Sequence, residues 1–399
     1  MTLRLREILE RLLPAASCPP AEMDIRDIVR AAGRFRSVIE EIKTGIGPVD
    51  FPWYPYDSLS NFGPLDRVLA GDRRRLVSLA GGRPVLDIGP GDGLCSFFLE
   101  SLGLTVHVVE NPVTSHNGLR GIRKLKEELR SSVEIFTADL DEYAVYPPGR
   151  YGLAFFCGVL YHLKNPIHVL ETLAARADYC VLSTRVAQVS PDHATRLNHL
   201  PVGYLLGEAE TNNDKTNYWI FSEAGLKRLL DRSGWELLGY ATVGDTQDSD
   251  PVRSDRDERA FCLLRSRLSG LRLGIEFLDG WHALENGAWR WTARRFSVVV
   301  PVASPGAGTL EFRFHLPEAL LESGGPVTLA AAVNGVALGS ERYDTAGEQV
   351  YVRRLPEEAV RGGEARVDFE LGRALTGSGD DRRELGVLAS GVEPPLTIR

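Results

Sequence analysis

The stretch that decides the fold reads Val-Leu-Asp-Ile-Gly-Pro-Gly-Asp-Gly and runs from Val85 to Gly93. Four residues of strand character are followed by three glycines spaced two apart, at Gly89, Gly91 and Gly93. A helical pattern begins directly afterwards. We predict that a first parallel strand turns here into a first helix, because glycines allow positive φ angles and a close approach between backbone and ligand.

Strand-like and helical patterns alternate around this turn. Apolar strand patterns occur at 84–88, 104–109, 132–137, 151–156 and 177–183, and helical patterns near 93–102, 115–130 and 165–176. A helix near 222–233 and strands near 235–243 and 258–265 complete the series. The alternation predicts an α/β fold with a doubly wound, mostly parallel seven-stranded sheet of the Rossmann-like type.

The pattern changes at both ends of this region. Helical spacing of apolar residues at 1–13 and about 24–42 predicts a helical cap over residues 1–45. After Gly270, short alternating runs separated by Gly, Pro and Asn predict an all-β sandwich, with Asn334-Gly335 as a type I′ hairpin turn. The 399 residues therefore divide into a cap at 1–45, an α/β domain at 46–268 and a sandwich at 269–399.

Composition narrows the possible partners. The chain has 46 Lys and Arg against 54 Asp and Glu, a formal charge of −8, so nucleic acid is a possible but unfavoured partner. Its five cysteines are dispersed and form no CxxC pair, which predicts neither a disulfide framework nor a metal site. No apolar run reaches the roughly 20 residues that span a bilayer. We expect a cytoplasmic protein without a membrane span; the sequence leaves its oligomeric state open.

Acidic residues at the predicted turn indicate the charge of the ligand. Asp87 and Asp92 would repel a pyrophosphate, whereas Asp87 could attract the ammonium group of an amino acid. The spacing GxGxG also differs from the GxGxxG of dinucleotide binders. Both features favour S-adenosylmethionine over NAD as the cofactor; the alternative is a purely structural glycine turn.

Further cofactor contacts follow the next strands. Glu110 ends the second strand, where a carboxylate can accept hydrogen bonds from both ribose hydroxyls. Asp139 follows the third strand, where such folds bind the adenine amino group. We add two neighbours of these strand ends to the predicted cofactor site, Leu140 and Cys157.

This ordered set resembles the class I S-adenosylmethionine-dependent methyltransferases. The stretch Gly158 to Leu170, together with Tyr218-Trp219-Ile220 and Arg259-Ala260-Phe261, is also similar to the tRNA wobble-uridine (mo5U34) carboxymethyltransferase family, over about residues 45–265. In that family a Lys, a Tyr and an Arg hold the carboxylate of carboxy-S-adenosylmethionine. The resemblance implies that Tyr161 and Arg259 are the second and third of these, while Ile46 stands where the lysine is expected. We therefore predict ordinary S-adenosylmethionine.

The segment after the fourth strand supplies candidate catalytic residues, Tyr161 and His162. Ligands of open α/β sheets bind at the carboxyl ends of the strands, so both side chains should lie near the reacting groups. His162 is a candidate base for an acceptor hydroxyl, because its ordinary pKa is near neutrality. The alternative is a histidine that caps the next helix or holds the loop by hydrogen bonds.

The stretch from 184 to about 221 lacks a clear pattern and is predicted to be an irregular, acceptor-binding insertion. Its polar residues could bind a hydroxylated acceptor, while aromatic residues of an earlier loop form a stacking wall. The predicted substrate-binding residues are Trp53, Tyr56, Asn213, Lys215 and Tyr218. The alternative is a solvated loop whose Asn and Asp residues make turns.

Three functions remain open from the sequence. The first is methyl transfer to a hydroxyl of a sugar or surface-polysaccharide precursor, with a small-molecule or glycan acceptor. The second is a tRNA wobble-uridine (carboxy)methyltransferase. The third is a glycan-binding protein with an inactive methyltransferase fold, in which Trp281, Trp289 and Trp291 of the predicted sandwich contact sugar rings; core packing is the alternative for these indoles.

Overall fold

The computed structural model describes residues 19–143, 146–147, 149–244, 247–268, 276–283, 285, 289–301, 308–356, 359, 364–377, 381–390 and 396–398. The chain divides into two compact units, Met1–Ser269 and Gly270–Arg399. The helix predicted at 1–13 and the first residues of the strand predicted at 272–278 lie outside the described residues.

The first unit is built on one large sheet. Its α-helices are α1 (Ile25–Ile46), α2 (Phe62–Val68), α3 (Leu94–Ser101), α4 (Arg120–Leu129), α5 (Leu140–Tyr143), α6 (Pro166–Arg176) and α7 (Glu223–Arg232). Its strands are β1 (Val85–Ile88), β2 (Val106–Glu110), β3 (Glu134–Thr137), β4 (Tyr151–Cys157), β5 (Ala177–Ala187), β6 (Gly203–Leu205), β7 (Trp219–Ser222), β8 (Trp235–Gly244) and β9 (Glu258–Ser266). Short 3₁₀ helices occur at Pro20–Glu22, Ser58–Asn61, Gly71–Arg74, Leu76–Ala80 and Leu160–His162.

The strand order is β3-β2-β1-β4-β5, all parallel; β9 then pairs antiparallel with β5, and β8 pairs antiparallel with β9. Successive residues of β1 face opposite layers of helices. Val85 belongs to the cluster that contains α1, α3 and α4, whereas Leu86 and Ile88 belong to the cluster that contains α6 and α7. This two-sided burial explains why β1 is apolar apart from Asp87. The predicted doubly wound, mostly parallel sheet is confirmed.

The stretch predicted to be irregular differs from the prediction. β5 continues to Ala187, and β6 and β7 form an antiparallel hairpin that adds two strands to the sheet. β7 pairs in parallel with the end of β5, through Val186 and Phe221. Strands of three and four residues are too short to show an alternating pattern, which is why the sequence did not reveal them.

Helix α1 is packed into the same core as the sheet. Its buried side chains recur at helical spacing and include Ile28, Phe35 and Ile39. The helix begins after Asp24, whose Oδ1 accepts a hydrogen bond from the Arg26 amide at 3.0 Å. Phe35 meets Phe98 of α3 at a centroid distance of 5.5 Å.

The second unit consists mainly of antiparallel sheets, together with a short helix α8 (Glu318–Glu322). Its strands are β10 (Glu276–Phe277), β11 (Trp289–Trp291), β12 (Arg295–Pro301), β13 (Gly308–Leu316), β14 (Val327–Val333), β15 (Val336–Tyr343), β16 (Gly347–Leu355), β17 (Glu364–Leu371), β18 (Leu375–Thr376), β19 (Glu384–Leu385), β20 (Leu388–Ser390) and β21 (Leu396–Ile398). One sheet has the order β10-β12-β17-β14-β15; the other has the order β11-β20-β13-β16, with β21 beside β13. Phe296 and Phe369 of the first sheet and Phe312 of the second share one core.

Two sequence features of this unit can be located. Asn334 and Gly335 join β14 to β15, both with positive φ (49° and 81°), as the hairpin prediction required. Trp281 packs against Phe296 and donates its indole N–H to the Ser297 carbonyl at 2.9 Å. Trp289, in contrast, is 38% exposed. Trp281 therefore has the core role that was the alternative to glycan contact.

No helix among the described residues is long and apolar enough to cross a membrane.

Replacing Phe98 with Ala should destabilise the first unit by about 3 to 5 kcal/mol, because its ring is fully buried and contacts rings of both α1 and α2. Urea unfolding followed by tryptophan fluorescence measures the loss. Val113→Ala, at a side chain that is 89% exposed, is the control and should change stability by less than about 0.5 kcal/mol. Equal stability of the two variants would contradict a shared core.

Candidate active site

The glycine loop after β1 is held from several sides by protein side chains. Gly91 and Gly93 have φ angles of 60° and 82°, which non-glycine residues rarely adopt. A Cβ on Gly91 would lie 2.7 Å from the Tyr54 ring, and one on Gly93 would lie 2.7 Å from Ile122. The absence of a Cβ atom at these two glycines thus leaves space for the side chains of Tyr54 and Ile122, besides any approach by a ligand. Gly89 also has a positive φ, 67°.

Asp92 joins this loop to three other segments. Its side chain is fully buried, and its carboxylate accepts hydrogen bonds from the Tyr54 amide and from Asn117 Nδ2, both at 2.8 Å. Lys43 at the end of α1 places its Nζ 3.3 Å from the same carboxylate. Because this charge is paired within the protein, Asp92 is not available to repel a phosphate, contrary to our expectation from the sequence.

The carboxyl ends of the parallel strands bring the predicted cofactor residues together. Gly89 donates its amide to the Val109 carbonyl at 3.1 Å, and Ala138 donates to the Glu110 carbonyl at 3.1 Å. Cys157 ends β4, one residue beyond the pairing of Phe156 with Ile88. The ends of β1 to β4 thus form one continuous edge.

Two carboxyl groups at this edge, the buried one of Asp87 and the partly buried one of Glu110, have no ion-pair partner among the residues that the structure describes. Asp87 accepts a hydrogen bond from Ser96 Oγ at 2.6 Å, and burial raises its pKa to about 6. Glu110 accepts one from the Asn111 amide at 3.0 Å; burial, with a smaller contribution from Asp87, raises its pKa to about 7. A positively charged ligand would stabilise the ionised form of both carboxyl groups, whereas a pyrophosphate would destabilise it. The ammonium and sulfonium of S-adenosylmethionine fit this edge.

The remaining cofactor candidates have defined places. Asp139 Oδ1 accepts the Asp141 amide at 2.9 Å at the start of α5, and Leu140 is buried beside it. Burial raises the pKa of Cys157 to about 12, so its thiol remains protonated near neutral pH.

Tyr161 and Arg259 lie close together beyond the edge. The Arg259 guanidinium is 5.8 Å from the centre of the Tyr161 ring, and its ion-pair distance to Asp257 is 3.7 Å. Both side chains also approach Gly158, at the end of β4. Tyr54 belongs to the same cluster, since burial and the neighbouring Tyr161 and Tyr56 hydroxyls raise its pKa to about 12.

His162 contacts the insertion through one ring nitrogen. Its Nδ1 lies 3.2 Å from the carbonyl oxygen of Thr216 and 3.0 Å from the hydroxyl of the same residue. Burial lowers the pKa of His162, which favours the neutral imidazole. The ring therefore holds the loop, as one alternative predicted, and this contact occupies only Nδ1.

An open cleft of about 570 Å³ borders this contact. It is lined by Glu208, Ala209, Asn213, Asp214, Lys215 and Thr216. Asn213 and Lys215 are thus brought together in this lining, three residues and one residue before Thr216, which contacts His162. The other predicted acceptor residues are placed elsewhere: Trp53 lies under Lys43 Nζ at 4.6 Å, Tyr56 is exposed near Tyr54, and the Tyr218 amide donates to the Tyr161 carbonyl at 2.7 Å.

Several residues of this region were not predicted from the sequence. Lys43, Tyr54, Asn117 and Thr216 act through partners at least 25 residues away, so no local pattern marks them. Arg185 is buried and holds the carbonyl groups of Asp250 and Arg253.

Comparison with known proteins shows what the first unit is similar to. Residues 64–239 match the family model described as "Methyltransferase domain". This similarity agrees with the charge of the site, whose acidic edge suits the positively charged cofactor S-adenosylmethionine that the sequence predicted. No curated protein matches the sequence.

Several solved structures have a low similarity to this chain. The N-terminal domain of EvdMO1, crystallised in the presence of SAH and D-fucose, is 19% identical, with 62% of this chain and 99% of that chain covered and a TM-score of 0.37. TehB from Haemophilus influenzae is 17% identical, with 46% and 58% covered and a TM-score of 0.33. A putative methyltransferase from Bacillus halodurans is 15% identical, with 48% and 95% covered and a TM-score of 0.36.

Replacing Glu110 with Gln should stabilise the protein in alkaline solution while weakening cofactor binding. The pKa of Glu110 is raised to about 7, so the folded state binds this proton more tightly than the unfolded state and stability falls as pH rises towards 7. Gln does not ionise and so avoids this loss of stability. We expect the free energy of unfolding of the variant to exceed that of the natural protein by about 1 to 3 kcal/mol at pH 8 and to differ little at pH 4.5. Urea unfolding at the two pH values measures it.

Calorimetry on the same variant, and on Glu110→Ala, should show cofactor affinity reduced by roughly 1.5 to 3 kcal/mol, because a charged acceptor is lost. Glu134→Gln, at an exposed residue of β3, is the matched control. Unchanged affinity in both Glu110 variants would remove this residue from the cofactor site.

Proposed function

We propose that the chain transfers the methyl group of S-adenosylmethionine to a hydroxyl of a sugar or surface-polysaccharide precursor. The observation that carries this proposal is the position of His162, whose ring contacts Thr216 at the border of a polar cleft. We propose that both cofactor and acceptor bind within residues 46–268.

The chemistry of the cleft supports a hydroxylated acceptor. Its lining combines carboxylates, an ammonium group, an amide and a hydroxyl, from Glu208, Asp214, Lys215, Asn213 and Thr216. Such groups both donate to and accept from hydroxyls, as sugar binding requires. Ala209 contributes only a small apolar surface to the lining of the cleft, so a large aromatic acceptor would gain little binding free energy from apolar contact there.

His162 is proposed as the base, with Tyr161 beside it to orient the acceptor. When bound, S-adenosylmethionine supplies a methyl group activated by a positively charged sulfur. Nδ1 of His162 is engaged with Thr216, and Nε2 is proposed to receive the proton of the acceptor hydroxyl. Asp87, Gly89, Gly91, Gly93, Glu110, Asp139, Leu140, Cys157 and Arg259 are proposed to hold the cofactor.

The ordinary cofactor is favoured over its carboxylated form. Lys43 is the cation nearest in sequence to the position at Ile46, and its ammonium group is already paired with Asp92 and packed over Trp53. The extra carboxylate of carboxy-S-adenosylmethionine would need a second cation besides Arg259. To obtain it from Lys43, it would have to break the ion pair between Lys43 and Asp92.

One observation favours the second candidate, a tRNA wobble-uridine (carboxy)methyltransferase. Arg259 lies against Tyr161, and its ion-pair distance to Asp257, 3.7 Å, is long, which leaves room for a stronger anionic partner. The formal charge of −8 argues against binding a polyanion without a strong local basic groove.

His162→Asn should lower kcat about 100-fold or more, because the proton acceptor is lost. Asn keeps a donor near the position of Nδ1, so the contact with Thr216 and the cofactor affinity should be retained. The measurement is methyl transfer under saturating cofactor, with His168→Asn at an exposed position of α6 as the control. Full activity of His162→Asn would refute the assignment of the base.

Radiolabelled methyl transfer should label an extracted polysaccharide-precursor pool and leave total tRNA unlabelled. Both substrates are tested at near-physiological salt, with the Glu110→Ala variant as the control for cofactor dependence. Label in tRNA alone would replace the leading proposal with the second candidate. Cofactor binding without label in either pool would favour the third, a glycan-binding protein with an inactive fold.

A further inference from the structure

We propose that Thr216 and Asp214 are positioning residues, which hold His162 in the tautomer that carries its hydrogen on Nδ1 and leaves Nε2 as the proton acceptor. This inference rests on the proposed role of His162 as the base. It assigns a further task to two residues that line the cleft.

The first step concerns the carbonyl group of Thr216. Its oxygen lies 3.2 Å from Nδ1 of His162. A carbonyl oxygen can only accept a hydrogen bond, so a contact at this distance is favourable only if Nδ1 carries the hydrogen. In the opposite tautomer two lone pairs would face each other in a partly buried place, which is costly.

The second step concerns the hydroxyl of Thr216, which has one proton to donate. That proton is directed to Asp214 Oδ1 at 2.7 Å, and the Thr216 amide donates to the same oxygen at 2.9 Å. A hydrogen bond to a carboxylate is stronger than one to a neutral ring nitrogen. The hydroxyl therefore presents a lone pair to Nδ1, at 3.0 Å, and accepts from it as the carbonyl does.

Asp214 keeps the charge that this arrangement needs. Burial opposes ionisation of its carboxyl group, but the two hydrogen bonds from Thr216 lower its pKa below the usual value overall. When Nε2 takes the proton of an acceptor hydroxyl, the resulting imidazolium is attracted by Asp214. Arg259 acts in the opposite direction and favours the neutral ring before the reaction.

The loop is built to keep these residues in place. Thr211, Asn212 and Asn213 have positive φ angles of 47°, 65° and 55°, which are strained for non-glycine residues. Thr211 Oγ1 donates to the Pro251 carbonyl at 2.7 Å, and Asn217 donates to the Thr211 carbonyl at 3.2 Å. Bonds at both ends of the loop thus hold a conformation that an isolated peptide would avoid.

Nitrogen NMR of the full chain labelled with ¹⁵N-histidine tests the tautomer directly, and His162→Asn identifies the signals of His162. We expect the Nδ1–H tautomer near pH 7.5 in the natural protein and in Thr216→Ser. In Asp214→Ala the hydroxyl proton of Thr216 is free to turn towards Nδ1, so the Nε2–H tautomer should become populated. Asp192→Asn is the matched control, because Asp192 accepts from Ser190 Oγ and the Ala194 amide in the same insertion.

Kinetics provide the second measurement. Asp214→Ala and Thr216→Val should lower kcat about tenfold, with cofactor KM unchanged within twofold, while Thr216→Ser and Asp192→Asn keep the natural values. A natural protein with the Nε2–H tautomer, or Asp214→Ala with an unchanged tautomer, would overturn the inference. If the tautomer is as expected but His162→Asn is fully active, the proposed base fails while the positioning of the ring stands.

Discussion

The site depends on one buried carboxylate, that of Asp92. A charge without solvent is tolerated only when hydrogen bonds and an opposite charge replace the lost water. Asp92 receives these from Lys43, the Tyr54 amide and Asn117, which belong to three separate segments. The position of the glycine loop therefore depends on α1, the loop before α2 and the loop after β2, and α1 is a structural part of the edge that the strand ends form.

This dependence explains which features could be predicted from the sequence. The strand-turn-helix at 85–93 and the position of Glu110 follow from local periodicity, because a strand buried on both faces must be apolar along its length. The pairing of Lys43 with Asp92 spans 49 residues and that of His162 with Thr216 spans 54. Such contacts are set by tertiary packing, and no spacing rule in the chain reveals them.

The two sides of the site have opposite electrostatic character. Asp87, which is buried, and Glu110, which is partly buried, are carboxyl groups with raised pKa values at the strand ends, while Arg259 and Tyr161 lie beyond them. S-adenosylmethionine carries a positive charge on sulfur, and its product has lost that charge with the methyl group. With the cofactor bound at this edge, as we propose, the carboxylates would hold the product less tightly than the cofactor, which favours product release.

The proposed roles of Glu110 and His162 both require the deprotonated form of the side chain. The proposed contact of Glu110 with a ribose requires its ionised form, and its pKa is raised to about 7. The proposed role of His162 as the base requires the neutral imidazole, which burial favours by lowering the pKa of the ring. Because burial shifts a carboxyl pKa upwards and an imidazole pKa downwards, one low-dielectric environment produces both effects.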